Sequence, residues 1–204
     1  MTLRLALLTG ILAATMPLLD GPRSRVDVPR GGAANDLVAR GRQGCVVAAE
    51  PQAARIGLAV LESGGNAVDA AVATALALAV THPTAGNLGG GGFMIVRWND
   101  GRSAAFDFRE RAPAAAHRDL YRNADGAIDP SASRVGALAG AVPGSPAGLL
   151  AALEAFGSRE LAELAAPSIA LAAEGFVVDD FLAEDLAAAR ALFSQFPSSQ
   201  AVFW

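Results

Sequence analysis

The chain contains no lysine: all 16 of its basic residues are arginine. That absence removes a phosphate-loop lysine, a Schiff-base lysine and a Ser-Lys dyad together. A single cysteine, Cys45, leaves no internal disulfide, and two histidines, His82 and His117, make no Cys/His cluster at metal-ligand spacing. No metal, no cofactor and no disulfide framework is therefore expected. Charge is also scarce, at 18% of residues with a net value of −4 and no basic run, so neither nucleic acid nor an anionic membrane surface has an electrostatic footprint to bind. A small molecule or another protein is the expected partner.

What the chain has in quantity is apolar residues, 52% of 204, and 22 glycines. The length suits about one domain with a sizeable core. Met1-Thr2-Leu3-Arg4 and the apolar residues 5–19 that follow, broken by Gly10 and Pro17, have the form of a secretory signal. No small-x-small pair precedes Asp20, so residues 1–20 are read as a signal peptide or, uncleaved, a membrane anchor. Either implies a periplasmic or secreted protein. Residues 21–42, rich in Gly, Pro and Arg without an apolar period, read as a flexible linker.

Regular structure is expected from residue 43. Residues 44–49, with the β-branched Val46 and Val47, fit a buried strand, and Glu50-Pro51 suits a helix start with Ile56, Val60 and Leu61 on its apolar face. Gly64-Gly65 stops that helix. Asn66 and Asp69 form a capping pair for a second helix, from Ala67 to about Val80, which is apolar on every side and too short to span a bilayer. It reads as a buried central helix ended by Pro83.

The stretch His82-Pro83-Thr84-Ala85-Gly86-Asn87-Leu88 and the four glycines 89–92 follow it. Four consecutive glycines lose so much entropy on folding that something must pack too closely there for a Cβ. A phosphate loop has the opposite order, strand before and helix after, and a Gly-Lys-Ser/Thr that this chain lacks. Residues 93–98 and 103–108 then read as two strands joined at Asn99-Asp100-Gly101, a hairpin signal.

The second strand delivers Asp107-Phe108-Arg109-Glu110-Arg111. Arg109, at a strand end near a glycine loop, can hold a carboxylate through two parallel hydrogen bonds; it can equally pair with Asp107 or Glu110 at the surface. His82 reads as a general base or as a helix-end cap, and His117 as exposed. The last third reads as helical: a helix over about 149–156 closed by Gly157, one capped by Ser158 running to Glu174-Gly175, and one capped by Asp179 or Asp180 with Leu182, Leu186, Ala189 and Phe193 on its inner face. Asp180, Glu184 and Asp185 then form a solvated face. Gly144-Ser145-Pro146-Ala147-Gly148 is not a Gly-x-Ser-x-Gly elbow, so residues alone assemble no complete catalytic set.

Three longer runs carry a resemblance. Glu62-Ser63-Gly64-Gly65-Asn66-Ala67-Val68-Asp69-Ala70-Ala71-Val72-Ala73, then Thr81-His82-Pro83 through Asn87-Leu88-Gly89-Gly90-Gly91-Gly92-Phe93-Met94, then Asp107-Phe108-Arg109-Glu110 with Ala112-Pro113, resemble the gamma-glutamyltranspeptidases. The likeness continues through Pro143-Gly144, Ala173-Glu174-Gly175-Phe176 and Ala201-Val202-Phe203-Trp204.

The resemblance implies an α+β fold, part of the αββα four-layer arrangement of N-terminal-nucleophile hydrolases, incomplete in this chain. Residues 43–204 would be the N-terminal part of the large subunit of a self-cleaving proenzyme. Such an enzyme cleaves the γ-glutamyl amide bond of glutathione and related compounds through an acyl-enzyme, and passes the γ-glutamyl group to water, amino acids or peptides. The attacking threonine belongs to a small subunit from the same precursor. No catalytic residue is therefore expected here, and the chain is expected to be inactive alone; Arg109 matches the arginine that binds the substrate's α-carboxylate. A related acylase or amidohydrolase of the same fold, or a non-catalytic truncated product, are the alternatives.

Overall fold

The computed structural model describes residues 41–203; residues 1–20, read as a signal or anchor, and the linker up to residue 40 lie outside the described residues. The first helix, α1 (Pro51–Glu62), starts where Glu50 turns its carboxylate back on the chain, its two oxygens accepting from the Gln52 and Ala53 amides at 2.8 Å each. Pro51 suits the first turn because its missing N–H has no intrahelical partner to lose. The helix closes through Gly64, at φ +88°, which lets the Gly65 amide reach the Val60 carbonyl at 2.9 Å.

The second helix, α2 (Ala67–Thr81), carries the expected capping pair. The Asn66 Oδ1 accepts from the Val68 and Asp69 amides at 2.8 and 3.1 Å, and Asp69 Oδ2 accepts from the Asn66 amide at 2.8 Å. Val68, Asp69, Ala70, Val72, Ala73, Thr74, Ala77 and Thr81 are buried, which makes α2 the centre of the helical layer, with Ala71 left exposed. Thr74 and Thr81 donate their hydroxyls to the Ala70 and Ala77 carbonyls at 2.7 and 3.1 Å, so neither brings an unpaired polar group into the core. α1 approaches α2 at Gly57, where a Cβ would overlap the Thr74 hydroxyl.

The strands β1 (Phe93–Arg97) and β2 (Ser103–Asp107) pair antiparallel, Phe93 opposite Asp107 and Arg97 opposite Ser103. Their turn is closed by the Gly101 amide on the Trp98 carbonyl at 3.1 Å, with Gly101 at φ +92° as a three-residue hairpin loop demands. Met94, Val96 and Phe106 face the core; Phe93 and Ile95 point the other way and are exposed. Phe156 meets Trp98 and Phe106 edge-on, with ring centroids 4.8 and 5.8 Å apart, tying the sheet to the next helix.

That helix, α3 (Ser145–Phe156), begins earlier than residue 149, because Pro146 is tolerated in a first turn and Gly148 is helical. Leu149, Ala152 and Leu153 join Val68, Val72, Ala73 and Leu164 in the core. In α4 (Leu161–Glu174) the expected cap is not made: Glu160 stands at the N-cap without a side-chain bond, and Ser158 is committed elsewhere. Its hydroxyl and amide donate to Asp69 at 2.6 and 2.8 Å, and the Arg159 amide adds a third bond at 3.2 Å. Burial alone would push the Asp69 carboxyl up, but the Ser158 hydroxyl and the Asn66, Ser158 and Arg159 amides outweigh it and hold the group below its ordinary 3.8.

Asp179 caps α5 (Asp180–Phe193) by accepting from the Leu182 amide at 2.8 Å, and Leu182 is buried while Leu186 and Ala189 are half-buried. Asp180 and Glu184 are exposed, as a solvated face requires, while Asp185 is half-buried. A short α6 (Pro197–Phe203) follows, which the sequence pattern had not indicated.

One expected element is absent. Residues 44–49 form no strand, and Val47 is 86% exposed. β1 and β2 pair with each other, and no strand among the described residues runs beside 44–49 to satisfy its backbone. The architecture is thus helix-rich with one small sheet, and among the described residues no helix is long and apolar enough to cross a membrane.

Candidate functional site

The glycine loop between α2 and β1 is packed against the segment that leaves β2. His82 ends α2 as a cap, its amide on the Leu78 carbonyl at 2.9 Å and its ring stacked on Phe181 at 5.9 Å, and the Gly86 amide returns to the His82 carbonyl at 2.7 Å. His82 thus occupies the structural role open to it. His117 is exposed, its Nδ1 accepting from the Asp119 amide at 3.3 Å.

Within the loop, Asn87 Oδ1 accepts from the Gly90 amide at 2.8 Å and from the Ser145 hydroxyl at 3.0 Å. The Gly90 carbonyl accepts from the Gly144 and Ser145 amides at 2.8 and 3.0 Å. A helix start whose first amides have no intrahelical partner is thereby satisfied by a loop carbonyl. Gly92 and Phe108 exchange backbone hydrogen bonds at 3.1 and 3.4 Å, extending the hairpin ladder by one pair.

The close approach demanded by the glycines is to Phe108 and Glu110. A Cβ on Gly91 would overlap the Glu110 amide and carboxylate, and one on Gly92 would press on the Phe108 ring. From the opposite side, a Cβ on Gly144 would overlap the Phe108 carbonyl and one on Gly148 the Phe108 ring. Phe108 is therefore gripped by two segments from which side chains are excluded. Beyond it, Arg111 and Val142 exchange two backbone hydrogen bonds, at 3.1 and 2.8 Å.

Arg109 sits between these two fixed points. Its amide donates to Asp107 Oδ1 at 3.1 Å, so its backbone is held on both sides. Its side chain is 66% exposed and its guanidinium lies 3.6 Å from Glu110, so of the two surface partners considered from sequence Glu110 takes the side chain and Asp107 the backbone. Such an exposed pair contributes about 1 kcal/mol at most, too little to prevent the guanidinium from exchanging Glu110 for a substrate carboxylate. Beside this segment an open, mostly apolar cleft of about 410 Å³ is lined by Asn87, Gly91, Phe93, Ile95, Phe108 and Ser145 among others.

The sequence singled out the glycines and Arg109 but not the groups that join them, Asn87, Phe108 and Ser145. Asn87 carried a usable signal, since Asn hydrogen-bonds its own backbone two or three residues on, but a hydroxyl 58 residues away carried none.

With this geometry in hand, the chain can be set beside known proteins. Residues 53–204 match the family Gamma-glutamyltranspeptidase. The chain is 45% identical over 166 residues to the glutathione hydrolase proenzyme of Escherichia coli (strain K12), a match covering 81% of this chain and 29% of that protein. Among solved structures it is similar to Helicobacter pylori gamma-glutamyltranspeptidase, with a TM-score of 0.76 at 42% identity over 79% of this chain and 46% of the other. It also resembles the cephalosporin acylase of Bacillus halodurans, with a TM-score of 0.64 at 30% identity, covering 82% of this chain and 32% of the other. The chain thus spans less than half the length of these relatives.

Proposed function

The chain belongs to the gamma-glutamyltranspeptidase family, and from that premise we propose that it forms the carboxylate-binding part of an enzyme that cleaves the γ-glutamyl amide of glutathione and related compounds, passing the acyl group to water, amino acids or peptides. In this reading Arg109 binds the α-carboxylate of the γ-glutamyl group by two parallel N–H···O bonds. The observation that carries the role is a backbone fixed on both sides of a guanidinium that stays exposed and weakly paired. Holding the α-carboxylate orients the amide carbonyl at the far end of the glutamyl chain for attack, and such positioning lowers the barrier by several kcal/mol.

The attacking threonine, exposed by self-cleavage of a proenzyme, comes from a small subunit outside these 204 residues. Thr74 and Thr81 are buried inside α2 with their hydroxyls bonded to helix carbonyls, which argues against either as a nucleophile. Residues 1–20 direct export to the periplasm or beyond. A four-layer fold, with a second sheet over the exposed Phe93 and Ile95, is part of the same proposal.

The test is turnover of γ-glutamyl p-nitroanilide by the product of the whole coding sequence and by its Arg109→Ala variant. The expected result is kcat/KM lowered by at least roughly 100-fold, with KM raised by loss of the charge-assisted contact and kcat lowered by loss of positioning. An unchanged KM removes Arg109 from the site. Glutaryl and oxamate amides assayed alongside separate this activity from that of a related acylase, and hydrolysis by the 204-residue chain alone would overturn the placement of the nucleophile.

A further inference from the structure

The hydrogen bonds that seat the glycine loop converge on two side chains away from the arginine. Ser145, only 5% exposed at the start of α3, donates its hydroxyl to Asn87 Oδ1 at 3.0 Å, and the same oxygen receives the Gly90 amide at 2.8 Å. The Asn87 amide group donates to the Ala85 carbonyl at 3.0 Å, so its orientation is fixed and its oxygen faces the two donors. Gly90 is bound at its N–H by Asn87 and at its carbonyl by the Gly144 and Ser145 amides, so its placement follows that of the Asn87 side chain and the start of α3. Its neighbour Gly91 then lies against the amide and carboxylate of Glu110 and the carbonyl of Phe108, without space for a Cβ between them.

We infer that Asn87 and Ser145 are positioning residues that set where Arg109 stands, acting through Gly90, Gly91 and the Phe108 and Glu110 backbone. The inference rests on the reading of Arg109 as the carboxylate ligand. Mechanically, the pair locks loop to helix start, and loop and helix start together grip the peptide units on either side of Arg109. Neither residue has to touch the substrate. Without the Ser145 hydroxyl, Asn87 keeps one of its two donors and Gly90 can shift, and a displacement well under 1 Å misaligns a two-point contact to a carboxylate.

The experiment uses the enzyme made from the whole coding sequence, with Ser145→Ala, Asn87→Ala and Arg109→Ala each assayed on γ-glutamyl p-nitroanilide and on 4-aminobutyryl p-nitroanilide, which lacks the α-carboxylate. Ser145→Ala and Asn87→Ala should each raise KM for the γ-glutamyl substrate on the order of tenfold with kcat nearly constant, and leave kcat/KM for the 4-aminobutyryl substrate as it is in the parent. A penalty of equal size on both substrates shows a merely structural role and overturns the inference, as does failure of both variants to fold. If Arg109→Ala raises KM while Ser145→Ala and Asn87→Ala do not, the inference fails and the arginine reading stands. If Arg109→Ala has no effect, the reading beneath it fails first.

Discussion

At the N-terminal end of α2 one buried carboxylate, Asp69, gathers four donors from Asn66, Ser158 and Arg159, whereas at the C-terminal end the chain turns back through glycines whose backbone groups make most of the bonds. The first anchorage spends side-chain chemistry on stability and keeps its carboxylate out of solvent. The second spends the absence of side chains on close approach, and so brings two segments together around Arg109 while its guanidinium stays free to meet a ligand. One end of the helix therefore holds the fold, and the other holds the proposed site.

Substitutions at the two ends can break this contrast. The largest effect is expected for Asp69→Ala, which strands three backbone amides and a hydroxyl at a half-buried junction; urea unfolding followed by the helical circular dichroism signal should show a loss of about 3 kcal/mol. Acid should reproduce part of that loss. Because the folded Asp69 carboxyl is held below its ordinary 3.8, the unfolded chain binds the extra proton first, so this contribution is complete above that value and fades as pH falls through the lower folded one. The stability of Asp69→Asn should consequently vary less with pH below about 4 than that of the parent.

At the other end Gly144→Ala should cost about 2 kcal/mol in the same unfolding measurement, since a methyl group there meets the Phe108 carbonyl and backbone has to move. Gly101→Ala tests a glycine kept for conformation alone: its φ is +92° with nothing within 4 Å of a Cβ, and a loss of about 1 kcal/mol is expected. Arg109→Ala should change stability by less than about 0.5 kcal/mol, because its ion pair is exposed. Equal stability losses at Arg109 and Asp69 would erase the distinction between the two ends.

Much of this was legible locally. Asn66 and Asp69 are three residues apart, Glu50 precedes Pro51, Asp179 precedes its helix and Gly101 closes its turn, and each of these bonds spans three residues or fewer. Ser158 misled because the same hydroxyl suits a cap or a distant carboxylate, and Asp69, 89 residues earlier, outcompetes a helix start two residues further on. Residues 44–49 misled because β-branched composition states a preference, while a strand needs a neighbour.

The sequence by itself determined both ends of α1 and α2, the cap of α5, the hairpin, the family and the need for something to lie close against residues 89–92, all consequences of short-range geometry or of motifs that stay contiguous. Only the tertiary structure decided what that something is. Phe108 and Glu110 on one side, Asn87 and Ser145 on the other, and the exposed setting of Arg109 between them depend on which segments meet across about 16 to 58 residues of chain, a range in which loop closure rather than local propensity governs contact.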